Sequence, residues 1–182
     1  MKITIIGVGD VESIYNHTKV TKRELEELLR DVVDYLVEIR AEIIILPARG
    51  IPYNLAKMYK EKKGKKVIGV IPVKCPFFGK YTAEIIEPYL DVIDESIKFD
   101  SWYDVDGNIA SLGDATLCFG ISAGVMAEIS EMKYNLKYRK SKTKLIIFDK
   151  TFSKRLPDEV EKDIPVKYID SVIELRSILE DK

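Results

Sequence analysis

Apolar and polar residues follow two rhythms along this chain, and the switch between them divides it into strands and helices. Short β-branched runs at residues 2–6 (KITII), 41–46 (AEIIIL), 66–73 (KVIGVIPV), 115–119 (ATLCF) and 144–148 (KLIIF) predict buried strands, with shorter ones at 95–99 and 166–169. Between them, Leu25, Leu28, Leu29, Val32, Val33, Leu36 and Ile39 recur at helical spacing behind the capping box Thr21-Lys22-Arg23-Glu24. A second helix is expected from about Pro52, carrying Leu55, Met58 and Tyr59 and ending at Lys63-Gly64 with glycine as its C-cap. Residues 101–112 place Trp102, Val105, Ile109 and Leu112 on one helical side, and a further helix carries Val125, Ile129, Met132 and Leu136. The box Ser171-Val172-Ile173-Glu174 opens a terminal helix. Residues 11–20 are polar and aperiodic, and are expected to form a loop able to close over a ligand.

Strands alternating with helices predict an α/β, Rossmann-like, doubly wound and mainly parallel sheet with helices on both faces, because parallel neighbours require crossovers. Ligands of such sheets bind outside the carboxyl ends of the strands. Three glycine-bearing turns follow predicted strands and fall on that edge: Gly7-Val8-Gly9, Arg49-Gly50, and the turn with Gly120, Ser122 and Gly124. The last leads into a helix whose first amides point at the gap with the positive end of the helix dipole, which suits an anion. Glu128 sits just inside that helix. It repels a bare phosphate but can face the sugar end of a nucleotide; the plainer account is a solvated glutamate after an ordinary turn. The opening glycines do not complete a dinucleotide fingerprint, since Glu12 occupies the third glycine position of G-x-G-x-x-G.

The 182 residues, 46% of them hydrophobic, suffice for one domain spanning 1–182. With 29 basic and 30 acidic side chains the net charge is -1, so no global field draws in nucleic acid or an anionic membrane. The cluster Lys133, Lys137, Arg139, Lys140, Lys142 and Lys144 is a basic patch, read as a solvated helix end. No apolar run reaches bilayer length, which favours a cytoplasmic protein. The two cysteines, Cys75 and Cys118, have neither disulfide-framework nor zinc spacing, and the single histidine, His17, leaves no multi-histidine metal site; no metal and no resident cofactor are expected. Phe77, Phe78, Trp102 and Tyr103 are candidates for stacking on a base or for a dimer face, with core burial the alternative.

The segment ILPARGIPYNLAKMYKEKKGKKVIGVIP resembles the strand, glycine turn, helix and GVIP strand of the LOG-type, lysine-decarboxylase-like proteins of the SLOG superfamily. DATLCFGISAGVMAEI is similar to their DAxxxLPGGxGTxxE motif, with Asp114, Ala115, Gly124 and Glu128 on matching positions. The resemblance implies a Rossmann-like fold, a homodimer or higher homo-oligomer, and a nucleotide or nucleotide-derived ligand. In that family the motif glutamate and an arginine on the preceding helix hydrolyse the N-glycosidic bond of a nucleoside monophosphate. This chain departs from the motif: Ile121 and Ser122 replace the paired glycines, Val125 replaces the threonine, and no Arg or Lys lies between Asp100 and Asp114, where the arginine position falls near Val105.

Two functions follow. One is a nucleotide sensor or carrier with a degenerate hydrolase motif, using Gly7, Gly9, Arg49, Gly50, Gly120, Ser122 and Gly124 to bind. The other is an N-glycosidic hydrolase or deoxyribosyltransferase-like enzyme with Glu128 as catalytic carboxylate, Asp10, Glu12 or Asp104 as second acid, and Arg49 or Lys80 as substitute cation.

Overall fold

In a computed structural model, which describes residues 1–73, 84–139 and 141–180, the strands form one sheet. In chain order they are β1 (Lys2–Gly7), β2 (Glu42–Ile45), β3 (Lys66–Pro72), β4 (Glu95–Phe99), β5 (Ala115–Phe119), β6 (Lys144–Phe148) and β7 (Val166–Ile169). The helices are α1 (Glu12–His17), α2 (Lys22–Glu38), α3 (Ile51–Glu61), α4 (Trp102–Asp106), α5 (Ala123–Tyr138), α6 (Asp158–Glu161) and α7 (Val172–Glu180), with short 3₁₀ turns at Glu87–Val92, Ile109–Ser111 and Asp149–Thr151.

Every strand pair is parallel, in the order β4-β3-β2-β1-β5-β6-β7, so the fold is α/β and Rossmann-like, as the alternating pattern predicts. The chain leaves β1 towards β4 and then returns to lay β5 along the other side of β1, with Ile3 beside Ala115 and Gly7 beside Phe119. Connections from these two central strands therefore diverge, opening a crevice between their carboxyl ends.

Successive strand residues point to opposite faces, and both faces are covered. Ile3, Ile5, Ile43, Leu117 and Phe119 pack with Leu25, Leu36, Leu55 and Leu175 of α2, α3 and α7. On the other face Ile6, Cys118 and Ile147 pack with Val125, Ile129 and Met132 of α5, and Ile44, Ile68 and Val70 with Val105 and Ile109. Because both faces are buried, the strands read as continuous apolar runs.

The Thr21 capping box forms: its hydroxyl accepts from the Glu24 amide at 3.3 Å while Glu24 accepts from the Thr21 amide at 2.8 Å. Glu174 accepts from the Ser171 amide at 3.0 Å, closing the box of α7 in the same way. Three local expectations are corrected. Residues 11–20 hold the short helix α1, anchored by buried Ile14; with a single buried side chain it leaves no periodic signal. The segment 101–112 is not one helix, because α4 ends at Gly107 and a 3₁₀ turn follows. Gly64 does not cap α3: the left-handed residue is Lys63, and Gly64 is small because a Cβ there would lie 2.1 Å from the Tyr59 ring. Cys75, Phe77, Phe78, Lys80 and Lys140 lie outside the described residues.

Candidate functional site

A cleft of about 320 Å³ occupies the crevice between β1 and β5, at the low end of the roughly 300–1,000 Å³ range of small-molecule sites. Of the residues expected to bind, Gly7, Gly9, Arg49, Ser122 and Gly124 line it, as does Glu128. Gly50 borders a neighbouring depression with Gly9, Asp10, Arg49 and Tyr53 instead, and the Gly120 amide is taken up by a hydrogen bond to Thr151 Oγ1 at 2.9 Å.

The glycines do different things. Gly7 lets β1 approach β5, since a Cβ would meet the Phe119 carbonyl oxygen at 2.7 Å. Gly50, at φ +121°, passes so close to Val8 that a Cβ would lie 2.2 Å from its carbonyl oxygen. Backbone packing accounts for both. Gly124 is the exception: the nearest atom to a Cβ there is Ser122 Oγ at 3.9 Å, so the space above it is open to a ligand.

Ser122 caps α5, its hydroxyl accepting from the Val125 amide at 3.3 Å. The amides of Ala123 and Gly124, in the first turn, have no intrahelical acceptor and lie at the positive end of the dipole. Across the cleft the Arg49 side chain donates from Nε to the Gly9 carbonyl at 3.3 Å and from Nη2 to Asp10 at 3.3 Å, pinning the β1 turn. Among the described residues lining the cleft, it is the one basic side chain.

Glu128 is not solvated. It is 8% exposed, one turn beyond Gly124 on the same helix face, and its Oε2 has no hydrogen-bond partner among the described residues. Burial first, and then the charge of Asp106, push its carboxyl from an ordinary 4.5 up to about 8. Asp106, at the end of α4, lines the same cleft, and burial raises its own carboxyl as well. The second acid is therefore none of those picked out from the sequence. Asp10 pairs with Arg49, Glu12 begins α1, and Asp104 closes a capping box by accepting from the Ser101 amide at 3.0 Å. The signal for Asp106 lay in WYDVDGN, the segment already marked as lacking the family's arginine.

Trp102 lines the cleft, whereas Tyr103 points to solvent at 75% exposure. Cys118 lies buried behind Glu128, its thiol pushed well up by burial and then by Glu128, so it is not a thiolate at neutral pH. His17 belongs to a separate, open depression with Lys19 and Lys150. The basic run disperses: Lys133 pairs with Asp163 at 2.6 Å, Arg139 bonds Asn108, and Lys144 reaches the Ile178 carbonyl at 3.2 Å. Among the described residues no group of three or more His, Cys, Asp or Glu side chains could hold a metal ion, and no helix is long and apolar enough to cross a membrane.

The whole architecture recurs in solved structures of low sequence identity. A structural-genomics target, TM1055, superposes with a TM-score of 0.68 at 14% identity, over 100% of this chain and 99% of that one. The molybdenum cofactor carrier protein of Chlamydomonas reinhardtii gives 0.62 at 16% identity, covering 98% of this chain and 95% of that chain. The molybdenum cofactor binding protein of the phototrophic bacterium Rippkaea orientalis gives 0.60 at 18%, over 98% and 96%. No family model and no curated protein matches the sequence. Such identities establish a shared Rossmann-like fold, and function has to be argued from the site.

Proposed function

We propose that this protein binds a phosphate-bearing, nucleotide-derived small molecule in the β1/β5 cleft and holds it intact, as a carrier or sensor. The observation that carries this is the burial of Glu128 in the cleft wall. A carboxylate there would oppose an anion at the start of α5, but burial raises its carboxyl to about 8, which favours the neutral form at pH 7. A phosphate can then rest on the Ala123 and Gly124 amides without that repulsion. The carrier reading is supported by the names of two structural neighbours, a molybdenum cofactor carrier and a molybdenum cofactor binding protein. It is also supported by the carboxylate at Asp106 near the position where the LOG-type motif implies an arginine. Among the described residues the basic side chain of the cleft, Arg49, is paired with Gly9 and Asp10, and two acids by themselves do not stabilise the charge of a reacting phosphoribosyl group. The same proposal treats residues 1–182 as one binding domain, in a cytoplasmic homodimer.

One observation favours a second reading, N-glycosidic cleavage. A neutral Glu128 next to Asp106 resembles the acid and carboxylate pair of glycoside-cleaving sites, in which one group protonates the leaving base and the other supports the sugar cation. A single set of measurements separates the two. Nucleoside monophosphates should raise the melting temperature with no release of free base over hours. Base release abolished by Glu128→Gln would establish the enzyme instead, and no thermal shift with any nucleotide would remove both. Sedimentation velocity reads the oligomeric state.

A further inference from the structure

The cleft also carries information about which ring it selects, an inference that rests on the ligand-binding reading above. Its inner wall joins two helices. Asp106 and, four residues earlier on the same side of α4, Trp102 face the crevice from one side, and Glu128 of α5 faces it from the other. The α4/α5 junction is fixed by Asn135, whose amide donates to the Gly107 carbonyl at 2.7 Å, so the two acids are held in a set relation. Glu128 is more than nine-tenths buried and its Oε2 has no partner among the described residues. Buried polar atoms are satisfied in folded proteins, so this carboxyl calls for a partner that the described residues do not provide. The basic side chain at the cleft, Arg49, is engaged with Gly9 and Asp10 instead.

Burial favours a proton on these carboxyl groups, yet two of them side by side still present more lone pairs than donors. The ligand edge that satisfies them is rich in N–H groups set side by side. An adenine edge offers one donor and one acceptor, which a single neutral carboxyl would satisfy while leaving the other acid unpaired. Ribose hydroxyls both donate and accept, and make no distinction among bases.

We propose that Asp106 and Glu128 together select a ligand carrying an amino-oxopyrimidine edge, the adjacent ring N–H and exocyclic amino group that guanine and pterins share. Trp102 supplies an aromatic wall beside that edge, and the start of α5 takes the phosphate.

Calorimetry on the full chain at pH 7 with GMP, IMP, AMP and hydroxymethylpterin phosphate tests this. IMP keeps the ring N–H and lacks the amino group. GMP or the pterin phosphate should bind at least about tenfold more tightly than IMP and AMP, and the better of the two identifies the source of the edge. Asp106→Asn and Glu128→Gln should each bring GMP and IMP towards equal affinity; a merely structural role would weaken all four ligands by the same factor. Equal binding of all four, or tightest binding of AMP or IMP, would overturn the selection while leaving the ligand-binding function intact. Absence of binding by all four would overturn both.

Discussion

Raising the pH through the titration of Glu128 should cost this protein stability, and replacing that residue with glutamine should remove the loss. Burial, with Asp106 adding to it, holds the folded-state carboxyl at about 8 against an ordinary 4.5. The folded protein therefore keeps a proton that the unfolded chain has already released. Stability linked to Glu128 is fully present below about 4.5 and is lost as pH rises to about 8. At about 1.4 kcal/mol for each tenfold in proton affinity, the gap between those two values sets a ceiling of about 5 kcal/mol. Asp106 shares the titration and water reaches the mouth of the cleft, so about half that ceiling, on the order of 2.5 kcal/mol, is the working figure. For a chain of this length that corresponds to roughly 5–10 °C in melting temperature. The assay is thermal unfolding of wild type and Glu128→Gln at intervals from pH 5 to pH 9. Titrations away from the cleft are common to both proteins, so the difference between the two curves isolates Glu128 together with the part of the Asp106 titration coupled to it. Glutamine should be neutral or slightly destabilising at pH 5 and clearly stabilising at pH 9. Parallel curves, separated by less than about 1 °C in their pH dependence, would refute the burial argument.

Two further substitutions separate backbone packing from ligand access. Gly124→Val adds a side chain into open space, so its melting temperature should stay within about 2 °C of wild type, while the thermal shift produced by a bound nucleotide or pterin phosphate disappears; an undiminished shift would place the ligand elsewhere. Gly50→Ala forces a Cβ onto the Val8 carbonyl at a backbone angle that only glycine adopts readily, and urea unfolding should show a loss of about 3 kcal/mol or more; a change below about 1 kcal/mol would mean that the turn relaxes.

The sheet was legible because its cause is local and repeated: the apolar runs of β1, β2, β3, β5 and β6 are strands buried on both faces, and the alternation with helices leaves parallel pairing as the solution. The crevice followed from topology, since Gly7, Gly9, Ser122 and Gly124 end or follow the two strands at which the winding direction reverses. The chemistry inside it was less legible, because burial of a polar side chain is a property of the packed helices and not of its own segment. Glu128 reads as an ordinary exposed glutamate in AGVMAEISEM until α4 is laid against α5 and closes over it. Asp106 suffered the same fate: WYDVDGN offers two aspartates two residues apart, and only the capping box at Ser101 decides that Asp104 is spent on its own backbone while Asp106 faces the cleft. The break of α4 at Gly107, which makes the longer helical reading fail, is what lets that acid sit against α5, with Asn135 bonded to the Gly107 carbonyl itself. A departure from the motif that reads as the loss of a cation is thus, in three dimensions, the gain of a second acid beside a buried one. The proposed recognition of a donor-rich ring rests on that pairing, which the motif by itself would not reveal.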